Sequence, residues 1–177
     1  SGMTAVTAGY GHSCALTAGG GVKCWGRNDS GQLGDGEMSA TLHLTPIDVP
    51  GLTSGVVAIS AGQFHTCALT GDGTVKCWGA NHFGQLGLSG VYRPVPSDVP
   101  GLPAGAVAIE AGDQHTCALT TAGAMKCWGS NANGRLGDNS TVSRATPADV
   151  SGFTSGATAI TAGGYHSCAV TIDRGAR

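Results

Sequence analysis

Cysteine and histidine recur in this sequence at a constant spacing, and they are the side chains best suited to form a covalent link or bind a metal. Six of the seven cysteines form three pairs, each with its members ten positions apart, and a histidine precedes the first cysteine of each pair by two positions. Residues two apart on a strand point to the same face. The pairs are Cys14 with Cys24, Cys67 with Cys77 and Cys117 with Cys127, and Cys168 is left over.

A disulfide bond within each pair is the first interpretation of this pattern. Residues equally distant from Asp72 face each other in a hairpin centred on that residue, which places Cys67 opposite Cys77. Facing residues at a non-hydrogen-bonded position of two antiparallel strands have Cα atoms about 4.5 Å apart, which a disulfide can span. The same arithmetic holds for the other two pairs. Three such bonds would be typical of an extracellular or cell-surface protein, because those compartments are oxidising.

A zinc site is the alternative interpretation, since His65, Cys67 and Cys77 would offer three ligands. Zinc sites favour closely spaced C-x-x-C pairs, so we expect disulfides and neither a metal nor another cofactor. We expect the recurring histidine to be buried and bonded to backbone carbonyls. Cys168 would be unpaired or would form an intermolecular bond.

The cysteines belong to a longer repeat. The frame AG-x-x-H-[ST]-C-A-[LV]-T occurs four times, and the first three copies continue with [VM]-K-C-W-G and N-x-x-G-[QR]-L-G. Short β-branched apolar runs bounded by Gly, Pro and Asn predict four strands per copy, A to D, rather than helices. In the second copy these strands are A, Val56–Ala61; B, His65–Thr70; C, Thr74–Trp78; and D, about Pro94–Val99.

A four-stranded unit that recurs every ~50 residues predicts an all-β fold, a β-propeller of four-stranded antiparallel blades. Strand D carries proline, which favours the outer edge of a sheet. One tryptophan per unit would form a wedge between blades. We set residues 1–3 aside as a tag remnant and assign the blades to residues 4–50, 51–100 and 101–151, followed by an A–B half blade at 152–177.

The motifs resemble the regulator of chromosome condensation repeat family, whose units carry G-x-x-H-[ST]-x-A-L and W-G-x-N-x-x-G-Q-L-G at matching spacing. The resemblance implies a partial seven-bladed propeller of a kind used mostly to bind proteins. It does not imply nucleotide exchange on a small GTPase, which belongs to one member with its own insertions and acidic surface. We expect a fragment of a longer propeller that either associates with itself through open blade ends or needs a complementing half-propeller.

Composition excludes several classes of function. The net charge is −2 and the nine Lys and Arg residues are scattered, so a nucleic-acid partner is not expected. An apolar run of about 18 residues, which a membrane span requires, does not occur in the sequence.

The alternating direction of successive strands predicts which loops form the binding face. The A–B and C–D loops would share one end of the blades, and these loops vary between copies whereas the loops at the other end are nearly constant. A fixed scaffold with one variable face is typical of a recognition surface. The predicted contact residues are Tyr10, Gln63, Phe64, Asp113, Gln114 and Tyr165 from the A–B loops, and Arg27, His82, Phe83 and Arg135 from the C–D loops.

The sequence offers no recognisable set of catalytic groups. Three aspartates share one repeat position, which indicates a role in a turn or at a strand edge: Asp48, Asp98 and Asp149. The two glutamates stand in unrelated positions, so no pair of carboxylates recurs as a catalytic pair would. We therefore predict a non-enzymatic scaffold that binds a protein. A lectin-like propeller that binds glycans or small ligands is the alternative, and a zinc-dependent hydrolase is a more remote one.

Overall fold

A computed structural model describes residues 2–102 and 105–172, and within these ranges the chain forms fourteen β-strands. The strands are β1 Met3–Ala8, β2 His12–Thr17, β3 Val22–Asn28, β4 Ser39–Asp48, β5 Val56–Ala61, β6 His65–Thr70, β7 Val75–Ala80, β8 Tyr92–Asp98, β9 Ala106–Ala111, β10 His115–Thr120, β11 Met125–Gly129, β12 Arg144–Asp149, β13 Ala157–Ala162 and β14 Ser167–Thr171. The described residues include no helix long and apolar enough to cross a membrane.

The strands form three four-stranded antiparallel sheets, β1–β4, β5–β8 and β9–β12, and one two-stranded sheet, β13–β14. Each four-stranded sheet keeps the chain order, so its first and fourth strands are edges. Consecutive sheets pack through their first strands, β1 on β5, β5 on β9 and β9 on β13. The all-β partial propeller of three blades and an A–B half blade is thereby confirmed, and we call the sheets blades 1 to 3 and the half blade.

The hairpin register is the predicted one. Cys67 faces Cys77 and Leu69 faces Val75, and the same pairing recurs in blades 1 and 3. All three predicted disulfides are present, with Cα atoms 4.1 Å apart in each. Each bond lies at the centre of its blade, where both cysteines are fully buried.

Several strand boundaries differ from the sequence prediction. The third strand of blade 2 ends at Ala80 rather than Trp78, and the fourth ends at Asp98 rather than Val99. Thr74 belongs to the turn rather than to the third strand of blade 2, because its carbonyl accepts the Thr70 amide at 2.9 Å and its own amide is bonded to the Asp72 carboxylate at 3.0 Å. The fourth strand of blade 2 begins earlier than predicted, at Tyr92. Met3, which the sequence analysis set aside, opens β1 and pairs with Thr17.

Tryptophan wedges join neighbouring blades, as predicted. Trp78 of blade 2 lies in the apolar core of blade 1, and Trp128 of blade 3 lies in that of blade 2; both are fully buried. The Trp78 indole Nε1 donates to the Gln32 carbonyl of blade 1 at 2.9 Å. Trp25, in the same position of blade 1, is only half-buried.

The glycine of AG-x-x-H is required for steric reasons. A methyl group on Gly62 would overlap both the His65 ring and the carbonyl oxygen of Gly112 in the next blade. We expect Gly62→Ala to lower the free energy of unfolding by about 3 kcal/mol, the upper part of the range for overpacking. Denaturant unfolding measures this change.

The matched control is Gly71→Ala in the exposed B–C turn, where an added methyl group meets only ordinary contacts, with Val57 Cγ1 at 3.6 Å. This variant should be as stable as the parent within about 0.5 kcal/mol. Equal losses from the two variants would contradict the steric argument.

Candidate functional site

The A–B and C–D loops lie at the same end of the blades, and backbone hydrogen bonds tie them together. The amide that follows W-G in strand C donates to the A–B loop of its own blade, at 2.8 Å in each complete blade. We call this end the loop face. The three bonds are Arg27 to Gly11, Ala80 to Phe64, and Ser130 to Gln114.

A cluster of partly exposed side chains on the loop face spans blades 1 and 2. Tyr10, which is 72% exposed, contacts Phe64 edge to face with ring centroids 5.6 Å apart. The Arg27 guanidinium lies 5.2 Å from the centroid of the same Phe64 ring. Asp29 accepts two hydrogen bonds from Arg27, which lower the pKa of its carboxyl below the usual value. Apolar, cationic and hydrogen-bonding groups are therefore held together on one rigid patch.

A second group of predicted residues surrounds the propeller axis. Gln63, Asp113 and Tyr10 line a cavity of about 350 Å³, together with the Ala-Gly steps of all four inner strands. The Tyr10 amide donates to the Gln63 carbonyl at 3.2 Å, and the Gln63 amide donates to the Asp113 carbonyl at 3.0 Å. Gln114 donates from Nε2 to Gln63 Oε1 at 3.3 Å. The A–B loops thus form one continuous rim across the blades.

Arg135 is not on the surface, contrary to the sequence prediction. It is 5% exposed, its Nη1 donates to the Gly164 carbonyl at 3.2 Å, and its guanidinium lies 4.9 Å from the Tyr165 ring centroid. Arg135 occupies the position of the buried Gln32 and Gln85 in N-x-x-G-[QR]-L-G, and this position faces the following sheet. Tyr165 itself is 61% exposed and remains on the loop face.

His82 and Phe83 lie apart from the axial rim. They line an open groove of about 520 Å³ between the C–D loop of blade 2 and the outer strand of blade 3. Tyr92, which was not among the predicted contact residues, lies edge to face with His82, with ring centroids 4.9 Å apart. Its position two residues before the first proline of strand D was the available signal. The loop face therefore carries an inner rim and a separate outer groove.

The recurring histidine links each blade to the next. His12 Nε2 lies 2.9 Å from Thr66 Oγ1, and Thr66 Oγ1 donates to the Gln32 carbonyl at 2.9 Å. Because the single hydroxyl hydrogen is given to that carbonyl, the imidazole Nε2 must be the protonated nitrogen. His65 with Thr116 and His115 with Ser167 repeat the arrangement at 3.0 and 2.9 Å. For His12 and His65, the expected direct bond to a backbone carbonyl is replaced by one that reaches the carbonyl through the hydroxyl of [ST].

Burial keeps these histidines neutral. It lowers the pKa of His12 and of His115 to about 4, and that of His65 to about 3. Their Nδ1 atoms have no hydrogen-bond partner among the described residues, so an added proton at Nδ1 would be buried and unpaired. The recurring histidine is thus a structural link between blades.

The cysteines are not arranged as zinc ligands, since six of them are bonded in pairs. No group of three or more His, Cys, Asp or Glu side chains suited to a metal occurs within residues 2–102 and 105–172. Cys168 is a free, half-buried thiol. It takes the position of the first cysteine of each pair.

The repeated aspartates form ion pairs at the outer edge of each blade, in agreement with their repeated position. Each accepts a hydrogen bond from the lysine of K-C-W-G, as in Lys23 with Asp48 at 2.6 Å and Lys126 with Asp149 at 2.7 Å. Glu110 is different, because burial raises the pKa of its carboxyl. It stands in the position of Ser60, whose hydroxyl accepts the Ala111 amide of the next blade at 2.9 Å.

Known proteins share both the repeat and the fold. Two profiles described as the regulator of chromosome condensation (RCC1) repeat match the chain, one at residues 3–32, 56–85 and 106–135 and the other at 20–69, 72–119 and 123–170. The protein RCC2 homolog of Danio rerio is 42% identical over 81 residues, which are 43% of this chain and 15% of that protein. The ultraviolet-B receptor UVR8 of Arabidopsis thaliana is 37% identical over 87 residues, which are 49% of this chain and 19% of the receptor.

Among solved structures, a chain of the complex of Kap60 bound to yeast RCC1 (Prp20) superimposes with a TM-score of 0.83 at 28% identity. The superposition covers 98% of this chain and 42% of that one, so this chain spans less than half of that one. The second repeat profile alone covers most of the sequence. The chain belongs to the regulator of chromosome condensation (RCC1) repeat family.

Proposed function

We propose that the chain is a non-enzymatic, secreted or cell-surface scaffold that recognises a protein partner through its loop face. The observation that carries this proposal is the cluster of Tyr10, Phe64 and Arg27, which is built from two blades and held by the backbone bonds of both. Aromatic and arginine side chains dominate the energetics of protein interfaces. A rigid framework lowers the entropy lost when such side chains are immobilised by a partner.

Differences between equivalent loops favour one protein partner over a repeated ligand. The position after A-G carries Tyr10, Gln63, Asp113 and Gly164 in the four copies. A glycan-binding propeller with one site per blade needs similar contacts in each blade, and these four residues differ in size, charge and hydrogen bonding.

The location outside the cytosol rests on the disulfides. Three buried cystines, one in each complete blade, are typical of proteins from oxidising compartments. We also propose that the uncovered side of blade 1 takes part in assembly, through an open blade end of a second copy or a complementing half-propeller. The half-buried Trp25 supports this, because its counterparts Trp78 and Trp128 are covered by a preceding blade.

The test is a binding titration with face variants. A partner is isolated on the wild-type chain from the extracellular proteins of the source organism, purified, and titrated by calorimetry. Tyr10→Ala combined with Phe64→Ala should weaken Kd at least about thirtyfold, which corresponds to about 2 kcal/mol. The melting temperature should change by only a few degrees, because Tyr10 is exposed and Phe64 is half-buried.

The matched control is Val57→Ala, an exposed side chain at the opposite end of the same inner strand that leads to Phe64. It should leave Kd unchanged. Unaltered binding by the double variant, or equal weakening by the control, would overturn the assignment to the loop face. Saturable binding of a glycan, abolished by the same double variant, would instead establish the lectin alternative.

A further inference from the structure

The outer strand of blade 1 differs from the outer strands of the other two blades. β4 has ten residues, whereas β8 has seven and β12 has six. β8 contains Arg93, Pro94 and Pro96, and β12 contains Arg144 and Pro147, whereas β4 has Pro46 in the position of Pro96 and Pro147 and His43 in the position of Arg93 and Arg144. Prolines and charged side chains are the features that keep an edge strand from pairing with another chain.

β4 lacks this protection over most of its length. From Ser39 to Thr45 it has neither a proline nor an Asp, Glu, Lys or Arg residue, and Pro46 and Asp48 follow only at its end. Leu42 is 55% exposed and Leu44 is 84% exposed, although large apolar side chains gain free energy by leaving water. Within residues 2–102 and 105–172, β4 pairs with β3 alone, so its outer edge offers backbone groups beside these leucines that no other strand pairs with. The Thr41 amide is bonded to the Ser39 hydroxyl at 3.0 Å.

The sequence of β4 is symmetric about His43. The residues Thr41, Leu42, His43, Leu44 and Thr45 read the same in both directions. When two copies of this segment run antiparallel with His43 facing His43, each leucine faces a leucine and each threonine faces a threonine. No charged residue lies opposite another charged residue in this register, and such a self-matched patch is what a twofold dimer interface requires.

We propose that two copies of this chain associate edge to edge through β4, in antiparallel register with the twofold axis at His43. The two first blades then form one continuous eight-stranded sheet. Backbone hydrogen bonds between the strands supply the pairing, and the facing Leu42 and Leu44 side chains are removed from water. The partner is a second copy of this chain, because a segment that is symmetric about His43 is complementary to an antiparallel copy of itself, whereas an unrelated strand would not share that symmetry.

Disulfide trapping tests the register. In a Cys168→Ser background, which removes the native free thiol, His43→Cys places two cysteines opposite each other, with Cα atoms about 4.5–5.5 Å apart. We expect a covalent dimer under mild oxidation, seen by non-reducing electrophoresis. Thr45→Cys in the same background should form no covalent dimer, because the two copies of position 45 would be four residues out of register, about 13 Å apart.

A mixture of the Thr41→Cys and Thr45→Cys chains should form the mixed dimer, since these positions face each other. Crosslinking at position 45 alone, or none at position 43, would overturn the proposed register.

A second measurement does not depend on cysteine chemistry. Sedimentation over a concentration series should show a dimer for the wild-type chain and a monomer for Leu42→Lys combined with Leu44→Lys, whose charges would face each other across the axis. Val95→Lys, at a comparably exposed position of β8, is the control and should dimerise like the wild type. A wild-type monomer at the highest soluble concentration refutes the proposal, and so does a dimer that the leucine substitutions leave intact. The latter outcome would place association at the open blade ends instead.

Discussion

Acidification from neutral pH to about pH 4.5 should destabilise the protein by several kcal/mol, because three buried histidines must take up protons as it unfolds. Each has a pKa below its ordinary value of 6.5 in the folded state, about 4 for His12 and His115 and about 3 for His65. At about pH 4.5 the unfolded chain binds a proton at each position and the folded chain binds few. Each histidine that is protonated only in the unfolded chain removes about 2.7 kcal/mol of stability over the two pH units between about 6.5 and about 4.5.

The sign of the effect follows from the lowered pKa. The stabilisation is fully present above pH 6.5, where the histidine is neutral in both states, and it is lost as the pH falls towards 3 to 4. The carboxyls of Asp29, Asp72 and Asp138 also have lowered pKa values, but their usual value is 3.8, so they contribute mainly at lower pH. Glu110, whose pKa is raised by burial, acts in the opposite direction, because its protonation favours the folded state as the pH falls. The three histidines together should outweigh this single group between about pH 6.5 and about pH 4.5.

Urea unfolding at a series of pH values measures this dependence. His65→Gln removes one of the three titrating groups and keeps an N–H donor within reach of Thr116. The slope of its unfolding free energy against pH should therefore correspond to about one proton fewer taken up on unfolding. His82→Gln is the matched control, because His82 is exposed on the outer groove, and its slope should equal that of the wild type. A His65→Gln slope equal to the parent's would show that His65 is not the neutral, buried link described above.

Replacement of Trp78 by alanine should have the second large effect, a loss of about 3–5 kcal/mol in the free energy of unfolding. The fully buried indole fills the core of the preceding blade beside Val22 and Leu33, and its Nε1 donates to the Gln32 carbonyl. The substitution leaves a cavity at a blade interface and removes a donor from that carbonyl. Thr66 still donates to it, so the loss should come mainly from the cavity.

Trp25→Ala provides the comparison, because Trp25 has the same local sequence and lies in the same position of its blade but is only half-buried. We expect it to cost less than half as much as Trp78→Ala. Far-ultraviolet circular dichroism in denaturant follows both variants without relying on tryptophan emission. Equal costs would mean that the tryptophan acts within its own blade rather than between blades.

The sequence alone determined the features that depend on neighbouring strands of one unit. The first two strands of blade 2 were predicted at the residues where they occur, since alternating β-branched runs end at glycine or at a turn. The pairing of Cys67 with Cys77 followed from the same hairpin, because a tight turn sets the register of the two strands it joins.

Only the tertiary structure decided what happens between units. His12 is bonded to Thr66, 54 positions away, and the burial of Arg135 depends on Gly164 of the following sheet. Strand periodicity specifies which side of a sheet a residue occupies, but the partner it meets there depends on how the next sheet is placed. The position that reads as a variable surface residue in one repeat is therefore buried at an interface once the blades are stacked around an axis.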